Sequence, residues 1–324
     1  MNPIKSIVFM GTPEFAAVIL KKLLDTPGFQ IKAAVTQPDR PKGRGRRPAP
    51  PPVKELAEAR GVPVIQPAKL RDAAFLETLS GLGADIFVVA AYGKILPEAA
   101  LKIPPEGCIN VHASLLPKYR GAAPIQWAVI NGEEKTGVTI MRMDKGIDTG
   151  DMLLKTEVTI SPRETYGSLL DKLAEAGADA LIGALGLIGA GASPGVPQDN
   201  AAATCAPMLT PEIERIDWKK TCMETDCLIR GLNPSPAAYS IYGGQKIKIW
   251  AAEVIDAPDE ETFALCGDSA APCGSVVAVT KRGFAVKTAD GALMVTEVQP
   301  AGGKRMGAGD YARGHGVKTG EMLE

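Results

Sequence analysis

The stretch "SIVFMGTPEFAAVILKKLL", residues 6–24, places the signals of a strand and of a helix in immediate succession. Its first residues are a short apolar run that ends in glycine, as is typical of a buried strand. Thr12, Pro13 and Glu14 then predict a helix start, with threonine as N-cap, proline at the first helical position and an acid in the first turn. The stretch therefore indicates one strand–helix unit of an α/β protein.

The same alternation continues through the first half of the chain. "DIFVVAAY", residues 85–92, is almost continuously apolar, which is typical of a central parallel strand. Strands that alternate with helices imply a parallel sheet covered on both faces. The remaining predicted strands cover residues 30–36, 62–66, 108–114, 137–144 and 152–160, and further helices are predicted over 52–61 and 72–79.

The second half follows a different pattern. Ser161 to Glu164 reads as a capping box, which predicts a long helix that closes the first domain near residue 188. The Gly-, Pro- and Ala-rich segment after it predicts a linker. Short strands and an Asp290-Gly291 turn then indicate a small antiparallel barrel or sandwich, with an OB-like barrel as one candidate. We predict a first domain over 1–189, a linker over 190–209, a second domain over 210–314 and a tail over 315–324.

Composition excludes several classes of protein. The net charge of −1 gives no general attraction to nucleic acid, so such a partner requires a local basic patch. The six cysteines are scattered, which argues against a disulfide framework and favours the reducing cytoplasm. We see no signal peptide and no apolar run long enough to span a bilayer, so no membrane association is expected.

Nucleotide and metal fingerprints are also missing. Gly11, Thr12 and Pro13 follow the first strand but match neither the dinucleotide-binding motif nor the P-loop. Cys222 and Cys227 do not have zinc-ligand spacing, and neither of the two histidines has a second ligand nearby in sequence. The sequence therefore predicts no metal.

The segment "RPKGRGRR", residues 40–47, places five basic side chains in eight positions. One interpretation is a solvated surface loop. The other is a phosphate-binding arm that becomes ordered on contact with a nucleic acid backbone. Its position after the second strand, where open α/β folds place ligand-binding loops, favours binding. The residues alone leave both interpretations open.

The segment "INVHASLLP", residues 109–117, contains one of the two histidines of the chain. Asn110 and His112 are two residues apart on a predicted strand, so they point to the same face. They could be a polar pair satisfied within the core. However, the polar loop of residues 143–152 offers three aspartates, at positions 144, 148 and 151. An amide, an imidazole and a carboxylate together would make a site for acyl transfer.

Residues 109–152 as a whole resemble the folate-dependent formyltransferases. Other segments match that family in order, from about residue 6 to about residue 314: "FMGTPEFA", "VTQPDRPKGRGRR", "VVAAYGKILP", "RIDW", "GLNPSPAAY" and "VQPAGGKRM". The resemblance implies an α/β domain with a doubly wound, mostly parallel sheet, a linker and an OB-like β-barrel. The basic loop and the C-terminal domain narrow it to members that formylate the methionine carried by initiator tRNA, with 10-formyltetrahydrofolate as the formyl donor and cosubstrate.

The resemblance also assigns roles to residues. Asn110 would donate to the oxyanion, His112 would stabilise the same oxygen and move a proton, and Asp148 would hold His112 or a water. Asp144 and Asp151 would only shape the loop. The predicted folate contacts are Ser114, Leu115, Leu116, Pro117, Gly93, Lys94, Ile95, Leu96, Met143, Gly146 and Ile147. The predicted tRNA contacts are Arg40, Lys42, Arg44, Arg46 and Arg47, with Arg44 as the principal one and Lys246, Lys248, Lys304 and Arg305 as further candidates.

Three alternatives remain on the sequence. The first is a formyltransferase of the same superfamily that acts on a nucleotide sugar or on glycinamide ribonucleotide. The second is a formyltetrahydrofolate hydrolase, and the third is a tRNA-binding protein on an inactive transferase scaffold. The basic loop argues against the first, and the intact set of Asn110, His112 and Asp148 argues against the third. We expect a monomer, and we expect His315 to be exposed and not catalytic.

Overall fold

The computed structural model describes residues 4–42, 47–255 and 271–324, which form two compact units. The first unit comprises residues 1–124, 135–159 and 170–207, and the second comprises residues 125–134, 160–169 and 208–324. The segment 190–207, most of the predicted linker, therefore belongs with the first unit. Two short segments that precede residue 170 belong with the second unit.

A seven-stranded sheet forms the centre of the first unit. The strands of this unit are β1 (Ser6–Gly11), β2 (Gln30–Val35), β3 (Arg40–Lys42), β4 (Arg47–Ala49), β5 (Val64–Ile65), β6 (Ile86–Ala90), β7 (Cys108–His112), β8 (Arg120–Gly121), β9 (Lys135–Arg142), β10 (Met152–Thr159) and β11 (Cys205–Ala206). The sheet order is β10-β9-β7-β6-β1-β2-β5. Neighbouring strands from β7 to β5 pair parallel, and β9 pairs antiparallel with both β7 and the edge strand β10.

Helices cover both faces of this sheet. They are α1 (Glu14–Asp25), α2 (Pro52–Ala59), α3 (Ala73–Gly81), α4 (Glu98–Leu101) and α6 (Tyr166–Gly189) beyond its first turn. The first turn of α6 and the helix α5 (Pro124–Ile130) belong to the second unit. Val8 and Cys108 pack in one core cluster with Phe75 of α3. Val111 is three residues beyond Cys108 and so faces the other side, where it lies against Gly177 of α6. The predicted α/β class with a mostly parallel sheet is confirmed.

The start of α1 differs from the prediction. The helix begins at Glu14, and Pro13 is the N-cap residue, with no side-chain capping bond. The Thr12 hydroxyl instead donates to the Tyr92 carbonyl at 3.1 Å and accepts from the Gln37 amide at 3.4 Å. Thr12 therefore joins the chain segments that follow β1, β2 and β6, where a ligand-binding crevice is expected in open α/β sheets.

The start of α6 also differs from the prediction. Half of the predicted capping box is present, since the Ser161 amide donates to a Glu164 carboxylate oxygen at 3.3 Å. The helix nevertheless begins at Tyr166. Its cap is a reciprocal pair: the Ser168 amide donates to the Thr165 hydroxyl at 3.2 Å, and the Thr165 amide donates to the Ser168 hydroxyl at 3.1 Å. The hydroxyl pair replaces the predicted box because it satisfies the first free amides of the helix.

The second unit contains an antiparallel sheet. Its elements are α7 (Cys222–Gly231), β12 (Ala238–Tyr242), β13 (Gln245–Val254), β14 (Val276–Val279), β15 (Phe284–Lys287), β16 (Ala292–Pro300), β17 (Met306–Gly307) and α8 (Ala308–His315). The order is β12-β13-β16-β15-β14, with β17 on β16. The Asp290-Gly291 turn joins β15 to β16 as predicted. Alternate residues such as Ile247 and Ile249 face the core of the unit.

The C-terminal tail pairs with both outer strands of this sheet. The Ile241 amide in β12 donates to the Glu324 carbonyl at 2.8 Å, and the Val276 amide in β14 donates to the Glu321 carbonyl at 2.8 Å. The tail therefore supplies backbone partners to two strand edges, a role that its sequence did not indicate. His315 is exposed, as expected, and stacks on Tyr311 with ring centroids 4.1 Å apart. Within the described ranges, no helix has the length and apolar character needed to cross a membrane.

Candidate active site

Asn110 and His112 lie on β7, at the carboxyl edge of the first sheet, and both face the side chain of Asp148. The Asn110 amide nitrogen donates to Oδ1 of Asp148 at 3.3 Å. Nδ1 of His112 is 3.6 Å from Oδ2 of Asp148. The three residues predicted as a catalytic set are therefore adjacent, although Asp148 is 36 residues beyond His112 in sequence.

His112 is buried, and a second contact fixes its ring. Nε2 is 2.9 Å from the Tyr119 carbonyl oxygen. A carbonyl oxygen can only accept, so Nε2 carries a hydrogen and Nδ1 is the nitrogen directed at Asp148. The distance of 3.6 Å from Nδ1 to the carboxylate exceeds an ordinary hydrogen bond. Catalytic contacts of this kind often shorten when substrate binds.

Asp148 adopts a backbone conformation that side chains usually avoid. Its φ is +53°, in the left-handed region, where a residue other than glycine costs about 1–2 kcal/mol. The Gly121 amide compensates by donating to Oδ2 of Asp148 at 2.9 Å. Asp144 shapes the same loop, since its Oδ1 accepts from the Gly146 amide at 2.9 Å and from the Thr149 hydroxyl at 2.7 Å.

The sequence did not identify the residues that surround this loop. The Gln198 amide nitrogen donates to the Asp148 carbonyl at 2.9 Å and to the Gly150 carbonyl at 2.7 Å. The Arg120 guanidinium in turn donates to the Gln198 oxygen. Gln198 was placed in a predicted linker. The one available signal was the polar run Gln198-Asp199-Asn200 within a Gly-, Pro- and Ala-rich segment.

The predicted folate turn, Ser114 to Pro117, is firmly held. The Ser114 hydroxyl donates to the Lys118 carbonyl at 2.7 Å, and the Leu116 amide donates to the Thr139 hydroxyl at 3.1 Å. A cavity of about 500 Å³ lies against this turn and is lined by Leu115, Leu116, Pro117, Lys118, Lys155, Glu157 and Ala202. Neither the catalytic set nor the other two predicted folate segments line it, so it is not the candidate active site.

The other two predicted folate segments expose apolar side chains. Ile95 is 72% exposed and Ile147 is 58% exposed, whereas Leu96 is buried. Lys102, and more weakly Lys145 from the second loop, lower the pKa of Glu98, the first residue of α4 after the first loop. Gly93 has φ +77°, and a Cβ there would be 2.5 Å from Nε2 of the Gln37 side chain. The start of the first loop therefore requires glycine.

The basic segment is a two-stranded ribbon at its base. Strands β3 and β4 pair antiparallel, with Lys42 opposite Arg47. Asp39 anchors the base, because Gln66 and Lys54 donate to its carboxylate and hold its pKa below the ordinary value. Arg40 donates to the Gln37 side chain. Two of the predicted tRNA contacts, at positions 44 and 46, lie outside the described residues.

A cysteine also lies near the candidate catalytic residues. Cys108 is two residues before Asn110, but burial raises the pKa of its thiol to about 12. The thiol therefore stays protonated at neutral pH and is a poor nucleophile. In the parts of the chain that the structure describes, no group of three or more His, Cys, Asp or Glu side chains is arranged to hold a metal ion.

The comparison with protein families matches both units. Residues 4–185 match the formyl transferase family, and residues 208–316 match the formyl transferase C-terminal domain family. The chain belongs to the formyltransferase family.

Full-length relatives narrow this class. The chain is 49% identical over 320 residues to the methionyl-tRNA formyltransferase of Halalkalibacterium halodurans, with 98% of each chain covered. It is 47% identical over 317 residues to that of Desulforamulus reducens, with 98% of this chain and 97% of the relative covered. Within the formyltransferases, the chain is a member of the methionyl-tRNA formyltransferases.

More distant solved structures share the fold. The N-formyltransferase of Helicobacter canadensis, in complex with folinic acid and dTDP-3-aminofucose, aligns with a TM-score of 0.66 at 19% identity, covering 90% of this chain and 98% of that one. The sugar 3N-formyl transferase WlaRD, solved with dTDP and 5-N-formyl-THF, aligns with a TM-score of 0.65 at 18% identity, covering 93% and 98%. At this identity the likeness establishes the fold alone.

Proposed function

We propose that this enzyme transfers the formyl group of 10-formyltetrahydrofolate to the α-amino group of methionine on initiator tRNA. The observation that carries the proposal is the convergence of Asn110, His112 and Asp148 at the carboxyl edge of the sheet. Full-length relatives that carry the name of this activity support it. The names of these relatives do not favour a folate hydrolase or a sugar formyltransferase. Cytoplasmic location and a monomeric state stay predictions.

Asn110 is proposed as the donor to the formyl oxygen. As the methionyl nitrogen adds to the formyl carbon, the carbonyl oxygen becomes negative and gains from a fixed amide donor. The amide nitrogen of Asn110 has two hydrogens, and only one is required by Asp148. The other is free to bind the oxygen of the substrate, so the donor need not rotate during the reaction.

His112 and Asp148 are proposed to handle the proton. The attacking amine must lose a proton, and the N10 nitrogen must gain one as its bond to the formyl carbon breaks. Since Nε2 of His112 is committed to the Tyr119 carbonyl, Nδ1 is the ring atom that takes up and returns this proton. The Asp148 carboxylate stabilises the ring while it is charged. No covalent enzyme intermediate and no metal are required.

The exposed isoleucines fit a folate site. Large apolar side chains exposed on loops at a ligand-binding edge mark contact surfaces, and Ile95 and Ile147 are two such side chains. These side chains would lie against the pterin, with the Ser114–Pro117 turn beside them. Folate would supply the activated formyl group, while the protein supplies its orientation.

The tRNA is proposed to bind the basic ribbon through its phosphates. The base of the ribbon is anchored at Asp39, and the predicted contacts lie within residues 40–47 of the sequence. The side chains of the second unit that were predicted as further tRNA contacts include three that already have partners. Arg305 is paired with Glu297, and Lys248 donates to the Pro236 carbonyl at 2.9 Å. Lys246 lies over the Tyr239 ring, 3.5 Å from its centroid, and its Nζ is 3.7 Å from Oε2 of Glu214.

The test is a formylation assay with purified enzyme. We expect N-formylmethionyl-tRNA only when charged initiator tRNA and 10-formyltetrahydrofolate are both supplied. Formate release without a tRNA product would show a hydrolase. Formylation of an amino sugar nucleotide in preference to the tRNA would show that the enzyme is a sugar formyltransferase. Uncharged tRNA is the matched control, because it offers the same phosphates without the amine.

A further inference from the structure

Gln198 ties together both ends of the turn that carries Asp148. Its amide nitrogen is 2.9 Å from the Asp148 carbonyl oxygen and 2.7 Å from the Gly150 carbonyl oxygen. A primary amide has two N–H groups, so this one nitrogen donates one hydrogen to each carbonyl. One side chain therefore holds a three-residue turn at its first and last residues.

Arg120 fixes the orientation of this amide. Nε and Nη2 of Arg120 donate to the Gln198 oxygen at 3.0 Å and 2.8 Å. The reversed amide would place its nitrogen against a guanidinium and its oxygen against two carbonyl oxygens. Only one orientation is compatible with both sets of neighbours, so the two donors stay directed at the turn.

The segment around Gln198 is itself anchored on both sides. Val196 and Met152 exchange two backbone hydrogen bonds of 2.9 Å. Downstream, Cys205 pairs with Arg120 between β11 and β8, and the adjacent Gly121 amide binds the Asp148 carboxylate. Arg120 and Gly121 therefore reach Asp148 by two routes, one direct and one through Gln198.

We propose that Gln198 is a positioning residue for the formyl transfer. Asp148 holds a left-handed conformation that persists only when its surroundings enforce it. Gln198 enforces it through the backbone of the turn, and this keeps the Asp148 carboxylate directed at Asn110 and His112. The inference rests on the proposed function, because that function gives the carboxylate its role.

The test compares two substitutions that divide the contacts of Gln198. Gln198→Ala removes every contact, and we expect kcat to fall about tenfold to 100-fold, as for a small displacement of a catalytic group. Gln198→Glu retains an acceptor for Arg120 and makes that contact charge-assisted, but places oxygen against both carbonyls. Its kcat should fall at least as far. Asn200→Ala is the control, since Asn200 binds Arg120 at 2.9 Å and is not among the contacts of the turn. It should change kcat less than about twofold.

A purely structural role predicts a different result. If Gln198 only attached the segment to Arg120, Gln198→Glu would restore activity, and that result would overturn the proposal. A second measurement uses the Asp148→Ala background, where Gln198→Ala should have little further effect because the two residues act as a unit. Independent, multiplicative losses would also overturn it. A wild-type enzyme inactive in the tRNA assay would instead refute the proposed function.

Discussion

Replacing Asp148 with asparagine isolates the charge at the centre of the site. Asparagine tolerates the left-handed conformation at least as well as aspartate does, so the φ of +53° is retained. The side chain keeps its size but exchanges one carboxylate oxygen for an NH₂ group. In the wild type, one oxygen of Asp148 accepts from the backbone amide of Gly121 and the other accepts from the side-chain amide of Asn110. In either orientation, the NH₂ group of an asparagine at this position would face one of those two donors, since only its single oxygen can accept.

The size of the effect follows from these contacts. A hydrogen bond to a charged group contributes about 1.5–3 kcal/mol. The loss of one such contact, together with the negative charge that stabilises the His112 ring, raises the barrier by a similar amount. Since about 1.4 kcal/mol corresponds to a factor of ten, kcat should fall about tenfold to 150-fold. The remaining acceptor keeps the loss below that of Asp148→Ala.

The assay measures kcat for tRNA formylation by the wild type and by Asp148→Asn. The melting temperature should change little, which would show that the turn is intact. A variant with the wild-type rate would refute the role of Asp148.

Three further outcomes are expected. Asn110→Ala should lower kcat about 10²–10³-fold with folate affinity retained, and a loss below about fivefold would exclude an oxyanion contact. Arg44→Ala should raise KM for the tRNA and reduce the salt dependence of tRNA binding, with KM for folate unchanged; equal losses for both substrates would indicate misfolding. Asp226→Asn should destabilise the second unit by about 3–5 kcal/mol in urea unfolding, because Asp226 is buried between Arg230 at 2.6 Å and Arg163 at 2.9 Å. Asp226→Asn combined with Arg230→Met should recover much of that loss, and no recovery would mean that the charge pair is not the cause.

The strand pattern of both units was predictable because the order of apolar and polar residues indicates which side chains of a strand are buried. β6 is apolar throughout and lies fully buried in the middle of the sheet. The Asp290-Gly291 turn predicted a hairpin that the structure contains. Caps were less predictable, because a hydroxyl has several possible partners. Thr12 has the residue type of an N-cap, yet its hydroxyl is used between strand ends that are distant in sequence.

The proximity of Asn110 and His112 was predictable for a related reason. The two-residue period of a strand places Asn110 and His112 on one face whatever the rest of the fold is. No periodicity connects that face to Asp148, which reaches it through a loop in a left-handed conformation. Among the three aspartates of the loop, only the family resemblance selected this one. The structure shows the physical difference: Asp144 binds groups of its own loop, whereas Asp148 binds Asn110 and Gly121.

The segment predicted as a linker shows what such reasoning does not detect. Sequence periodicity reports which side chains are buried, and the segment 190–207 buries few of them. It is attached instead by backbone pairing, through Val196 to Met152 and through β11 to β8, which nearly any residue can provide. A segment of this kind has the composition of a linker even when it is an ordered part of a domain. The polar side chains that it carries then have fixed positions, so Gln198 is able to act on a loop 50 residues earlier in the chain.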